Sequence, residues 1–216
     1  MELINNQGIN IIVKNNKKTP RIALVCGFLI NKEEKLAGIY SLYTKLLMQG
    51  TKKYSAQELA QIMDENGIQI TPVIREDAFV INVQTTTAKL DLTLEILDEI
   101  LNNAIYDEYE IEKKRSELLL KIRQQRDVPM NIAMENFKTL IYENCVYSHT
   151  NKVLEKNLPN VTRDDIVGYY NRALDSKNIV VSVNGDIDED NLINAFGSML
   201  KDKKQEELEE LKEQLS

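Results

Sequence analysis

The stretch GIYSLYTKLLMQGTKKYSAQEL (38–59) holds two helices and the joint between them. In its first half Ile39, Leu42, Leu46 and Leu47 recur at helical spacing with Tyr43 beside them. AGIYSLYTKLLM (37–48) is therefore predicted to be an amphipathic helix with one apolar stripe turned to a core. Gly50 follows as its expected C-cap glycine. Ser55 precedes Glu58 at capping-box spacing, so the Ser55 hydroxyl can accept the third helical N–H while the Glu58 carboxylate reaches back to the cap amide. The helix opened there, AQELAQIMDEN, is predicted to stop at Gly67.

Working outward, the segments before this stretch read as strands. INIIVK (9–14) and RIALVCGFLI (21–30) are rich in β-branched residues, and NNKKTP separates them, which predicts two antiparallel neighbours. After it, IQITPVI and AFVINVQT read as two strands around the polar turn Arg75-Glu76-Asp77. From residue 88 the pattern turns helical. KLDLTLEILDEILNNA places Leu90, Leu94, Leu97 and Leu101 on one stripe, Asp107 caps a long charged helix through Arg126, and Pro129 opens NIAMENFKTLIYEN. A loop spans 144–150. Thr162, with Asp164 and Asp165 behind it, caps the helix IVGYYNRAL. NIVVSVNGD (178–186) is a late strand ending in an Asn-Gly turn, and EDNLINAFGSML is a last helix. Asp186, Asp188, Glu189 and Asp190 lack EF-hand spacing and read as turn and N-cap residues.

Strands come in pairs and helices in runs, about six strands and seven helices in all, which is the signature of an α+β fold. The expected sheet is mostly antiparallel with helices packed on one face. Residues 1–200 form one α+β lobe. Residues 201–216, KDKKQEELEELKEQLS, form a charged helical tail or linker with Leu208, Leu211 and Leu215 on one face.

Composition excludes several functions. The net charge of −7 argues against non-specific nucleic-acid binding and against an anionic membrane surface. No apolar run approaches the ~20 residues of a spanning helix, so no membrane insertion is expected. MELINNQG has no basic region followed by an apolar one, which leads to the expectation of a cytoplasmic protein without a signal peptide. The two cysteines, Cys26 and Cys145, lie far apart and read as reduced thiols. The single histidine, His149, sits in a predicted loop. Phosphate-loop, dinucleotide-binding and serine-hydrolase elbow motifs are all absent from the sequence.

Five segments, in order, resemble the N-terminal lobe of the insulinase/pitrilysin-type (inverzincin) zinc metallopeptidases. GIYSLYTKLLMQGTKKYSAQEL (38–59) resembles the family's signature helix with its closing Gly-Thr. NGIQITPVIREDAFVINV (66–83) resembles the central hairpin, and IYDEYEIEKKRSELLLKIRQQRDVP (105–129) the long second helix. NLPNVTRDDIVGYYNRAL (157–174) and NIVVSVNGDID (178–188) resemble the closing helix and strand. The resemblance covers nearly the whole chain to about residue 200 and implies one lobe of the mitochondrial processing peptidase-type metallohydrolase fold.

What the family does with this lobe is metal-assisted peptide hydrolysis. Its H-x-x-E-H motif sets two zinc-ligating His and a general-base Glu on one helix, and a Glu on a later helix completes the ligands. Aligned on Gly50-Thr51, the first His falls at Ser41, the Glu at Thr44, the second His at Lys45, and the third ligand at or next to Lys121. Two hydroxyls and two ammonium groups cannot hold a dication. No catalytic and no metal-binding residue is expected in this chain, and zinc is expected on a partner half. The family's Asn-Ala pair beside the substrate strand corresponds to Ile70 and Thr71, the candidate substrate contacts, followed by Pro72, which removes a ladder donor.

Family members work as paired halves around a chamber, and one half is often silent. The resemblance thus implies a non-catalytic lobe or subunit, with a zinc-bearing peptidase homologue or a second lobe as partner and peptide substrate in the shared chamber. A homo-oligomer is a further arrangement it allows. The alternatives are a purely structural scaffold protein of the same family, and an enzyme built on carboxylate-only metal ligation or on Cys145 as nucleophile.

Overall fold

Strand after strand in this chain alternates β-branched or aliphatic residues with polar ones, a pattern that buries one sheet face and leaves the other to solvent. The structure, a computed structural model, describes residues 2–6, 9–29, 37–75, 78–126, 128–142, 150–174 and 179–200. The 201–216 tail, Cys145, His149 and the loop around them lie outside the described residues. Close packing divides the chain into two units. One is made of 1–31, 47–105 and 171–216, and the other of 32–46 and 106–170.

The first unit is built on a six-stranded sheet of order β1-β2-β6-β3-β5-β4. The strands are β1 (Glu2–Asn6), β2 (Ile9–Asn15), β3 (Arg21–Leu29), β4 (Gln69–Ile74), β5 (Ala78–Thr86) and β6 (Ile179–Gly185). Pairing is antiparallel throughout except between β2 and β6, which run parallel, so the sheet is mixed.

The expectation that β2 and β3 are neighbours is overturned, because β6 lies between them. Ile11 pairs with Val181 on one side, and Val181 pairs with Cys26 on the other. Two strand spacings amount to ~10 Å, which the connection 16–20 spans easily. The late strand, with Ile179, Val181 and Val183 all buried, fills the gap, and its parallel pairing with β2 becomes possible through the long helical excursion between them. Nor is Asn184-Gly185 a turn. Gly185 is still in the ladder, opposite Asn15 and Ile22.

One face of the sheet is apolar. Ile11, Leu24, Cys26, Phe28, Phe79, Ile81 and Val181 are at most 2% exposed, and the Phe28 and Phe79 rings stack with centroids 5.5 Å apart. Helix α3 (Leu90–Asn102), entered through a 3-10 turn at Thr87–Lys89, packs on β5 and on α8 (Glu189–Met199). Its stripe of Leu90, Leu94, Leu97 and Leu101 is buried as the spacing predicted. At roughly 1.5–3 kcal/mol for each large apolar side chain taken from water, this layer is the main stabilising term of the unit. The opposite face stays open, with Ala23, Val25, Ser182, Asn184 and Gln84 exposed. Burial pushes the Cys26 thiol well above its usual range, so it is inert at neutral pH.

Helix α2 (Ala56–Asn66) has the predicted capping box. Ser55 Oγ accepts the Glu58 amide at 3.2 Å, and Glu58 Oε2 accepts the Ser55 amide at 2.8 Å. At its other end Gly67 closes the helix in the left-handed region. Gly50, by contrast, is not a helix cap. Helix α1 (Ile39–Leu46) ends earlier, and Gly50, at φ 121°, pairs with Ser55 while its carbonyl accepts the Ile105 amide at 3.2 Å. Thr51, 3% exposed, tightens the same turn by accepting the Tyr54 amide at 3.0 Å.

Ser55→Ala is expected to cost about 1 kcal/mol in a denaturant titration, the usual worth of an N-cap. The Ser55 amide, and next its hydroxyl, hold the Glu58 carboxyl below its usual range. A lowered folded-state pKa contributes stability above the ordinary value of about 4.3, and that contribution is lost as pH falls through the folded value. The difference between Glu58→Ala, which removes the titrating carboxylate, and the unaltered chain should therefore narrow in acid. A constant difference down to pH 2 would contradict the capping box.

The second unit is helical. Besides α1 it holds α4 (Glu108–Gln125), α5 (Pro129–Ile141), α6 (Asn151–Asn157) and the greater part of α7 (Arg163–Leu174). Asp107 caps α4, accepting the Tyr109 amide at 2.9 Å, and Pro129 stands at the start of α5. Thr162 and Asp165 form a reciprocal cap on α7, with bonds of 3.0 and 3.2 Å. Helix α6 is too short to show an apolar period and has no counterpart in the sequence reading. Its one local signal is Thr150, whose hydroxyl accepts the Val153 amide. Arg123 of α4 and its C-cap residue Arg126 both bind Glu155 of α6, and Arg115 Nη2 donates to the Val161 carbonyl at 2.5 Å.

Candidate functional site

Helix α1 packs against α4, and its buried residues lie on one stripe: Ile39, Leu42, Tyr43 and Leu46. Ring contacts reinforce it, Tyr40 meeting Tyr169 edge-on at 5.1 Å and Tyr43 lying 6.2 Å from Tyr106. Ser41, Thr44 and Lys45 project from the remaining side and are half-buried. Ser41 and Lys45, one turn apart, are surface neighbours. The Thr44 hydroxyl is already committed, donating to the Tyr40 carbonyl at 2.7 Å. Lys121 stands on α4, exposed, beside the buried Ile122. The packed pair α1–α4 therefore carries Ser41, Thr44, Lys45 and Lys121, the four residues singled out in the sequence.

These residues do not fit zinc. Hydroxyls of Ser41 and Thr44 are weak ligands beside imidazole or carboxylate, and the ammonium groups of Lys45 and Lys121 repel a divalent cation. Among the described residues, no group of three His, Cys, Asp or Glu side chains stands close enough to hold a metal ion.

In the first unit the hairpin strand β4 is an edge of the sheet. A groove of about 760 Å³ runs between it and α2, lined by Gln57, Gln61, Asp64, Ile68, Ile70 and Thr71 among others. Of the two candidate substrate contacts, Ile70 turns its side chain inward at 7% exposure, opposite Val83, and Thr71 is exposed, opposite Asn82. Pro72 lies opposite Ile81. A proline fits such a ladder at a non-hydrogen-bonded pair, where its nitrogen faces the free rim. The edge thus lacks a donor where an added strand would need one.

What sequence reading missed is the groove itself, which depends on how α2 lies beside β4, and the surface of α5 described below. Neither has a local motif.

Residues 11–152 match the profile of the insulinase family, peptidase family M16. An uncharacterized zinc protease of Rickettsia felis is 23% identical over 207 residues, covering 96% of this chain and 47% of that protein. The human mitochondrial-processing peptidase subunit beta is 23% identical over 162 residues, 75% of this chain and 33% of that protein. Among solved structures, a peptidase M16 inactive domain from Pseudomonas fluorescens superposes with a TM-score of 0.84 at 14% identity, covering 95% of this chain and 51% of that one. The chain spans about half or less of the length of these relatives. The match over most of the sequence, and a fold shared almost end to end with such a domain, place this chain in the insulinase family of peptidases, family M16.

Proposed function

We propose that this chain is a catalytically silent lobe of an insulinase-type zinc peptidase, which pairs with a zinc-bearing half and supplies part of the wall of a peptide chamber. The observation that carries this reading is the occupancy of the α1–α4 pair. At the four motif positions stand Ser41, Thr44, Lys45 and Lys121, two hydroxyls and two cations where imidazoles and carboxylates are needed. The likeness to a domain described as inactive and to a protein named as one subunit of a peptidase supports it. In this role the chain contributes shape and burial while hydrolysis occurs on the partner. Pro72, on the β4 rim, weakens strand addition on this lobe, so peptide is held chiefly by the other half.

The test is zinc content and peptidase activity of the purified chain, alone and mixed with a homologue carrying an intact H-x-x-E-H. The expected result is less than about 0.1 equivalent of zinc and no cleavage alone, with cleavage in the mixture that depends on this chain, since three protein ligands are needed for a catalytic zinc. One equivalent of zinc on the isolated chain, or cleavage by it alone, would overturn the reading.

A further inference from the structure

Helix α5 is amphipathic, yet it buries none of its residues. Met130, Met134, Phe137 and Ile141 recur at i, i+4, i+7 and i+11, which is one narrow stripe, and they are 69%, 49%, 54% and 55% exposed. Leu140 beside them is 80% exposed. The side turned to the protein is polar instead. Asn131, Glu135 and Lys138 are the half-protected residues; Glu135 accepts the Asn151 amide at 3.0 Å, and the Asn131 side chain donates to the Gln125 carbonyl at 3.3 Å. A helix of this length is marginal in water by itself and is normally held by burial of its apolar face. Here that face is left over.

We propose that the α5 stripe is the contact by which two copies of this chain form a symmetric dimer. Its spacing is self-complementary. Reversing the helix about the midpoint between Glu135 and Asn136 carries Met130 onto Ile141 and Met134 onto Phe137, so two copies crossing antiparallel lay each stripe along the other in an isologous contact. Glu135 and Lys138 lie on the side turned to the protein, so no charged side chain stands within the stripe itself. The five side chains expose on the order of 600 Å², the upper end of what a monomer leaves in one patch, and with their rim they approach the ~800 Å² per partner of a standard interface. Met and Phe without charged residues at the centre is interface composition. A membrane surface is a poorer match, since α5 has one lysine and no arginine on its polar side.

The test is the mass of the full chain by sedimentation equilibrium from about 1 to 100 µM, beside Met134→Glu and Phe137→Glu. The expected result is reversible doubling of the 24.8 kDa mass and dimer dissociation at least ~100-fold weaker in each variant, as for truncation of a central anchor. Both sites are surface-exposed, so circular dichroism should be unchanged; should either variant unfold, Leu140→Lys is read instead. A monomer up to 100 µM, a dimer indifferent to these changes, or a stripe protected only by vesicles or by a different chain overturns the proposal. Zinc content does not enter this measurement, so it and the silent-lobe reading fail independently.

Discussion

Gly185→Ala is expected to be the most damaging single-methyl change in the chain, costing about 3 kcal/mol or more and lowering the melting temperature by roughly 6–12 °C. A Cβ on Gly185 would lie 2.5 Å from the Arg21 carbonyl oxygen and 2.8 Å from Ile22 Cα. Both are backbone atoms of β3, which is itself held between β6 and β5, so neither can retreat without opening the ladder. The comparison is Gly67→Ala. Gly67 is left-handed at φ 64°, but a Cβ there meets nothing within 4 Å, so only the conformational cost of about 1–2 kcal/mol applies. Thermal and urea unfolding of the two variants measure the difference. Equal losses would mean that β6 does not press against β3 at this point, and the sheet order would have to be revised.

The second large effect is a gain. A chain carrying Ser41→His, Thr44→Glu, Lys45→His and Lys121→Glu together is expected to take up close to one equivalent of zinc, binding at least ~100-fold more tightly than the unaltered chain, because imidazoles at i and i+4 and a carboxylate from the neighbouring helix supply three ligands. The exchange also removes two cations from the site and frees the Thr44 position from its bond to the Tyr40 carbonyl. Competition with a chromophoric chelator reads the affinity, and omission of Lys121→Glu should weaken it by at least tenfold by removing a ligand. If the fourfold variant remains folded but binds no better than the unaltered chain, Lys121 does not face the open side of α1 and the placement of the motif on these residues is wrong. The silent-lobe proposal would then lose its main support.

Much of the local structure was legible because its causes are local. The caps at Ser55, Asp107 and Thr162 join side chains to amides two or three residues away, bonds written in spacing alone, and Pro129 opens its helix through its own fixed φ. The buried stripe of α3 was legible for a similar reason, since helical period and leucine placement coincide. Gly50 was misread because a glycine after an apolar run looks the same whether it caps a helix or shapes a turn. Here α1 ended early and the turn took it. The short α6 was missed for want of any period.

The amino-acid sequence alone determined the supply of ligand atoms: with one histidine in the whole chain, no folding could set two of its imidazoles on one metal ion, because ligand atoms come only from residue types. It also determined the α+β character, through the two periods of its apolar residues. Only the tertiary structure decided that the last strand slides between the second and third, since that pairing joins residues far apart in the chain and depends on which slot the surrounding hydrogen bonds leave open. Only the tertiary structure, too, left the α5 stripe in water; an apolar period says that a face must be covered, and the arrangement of the other helices decides whether the chain covers it itself.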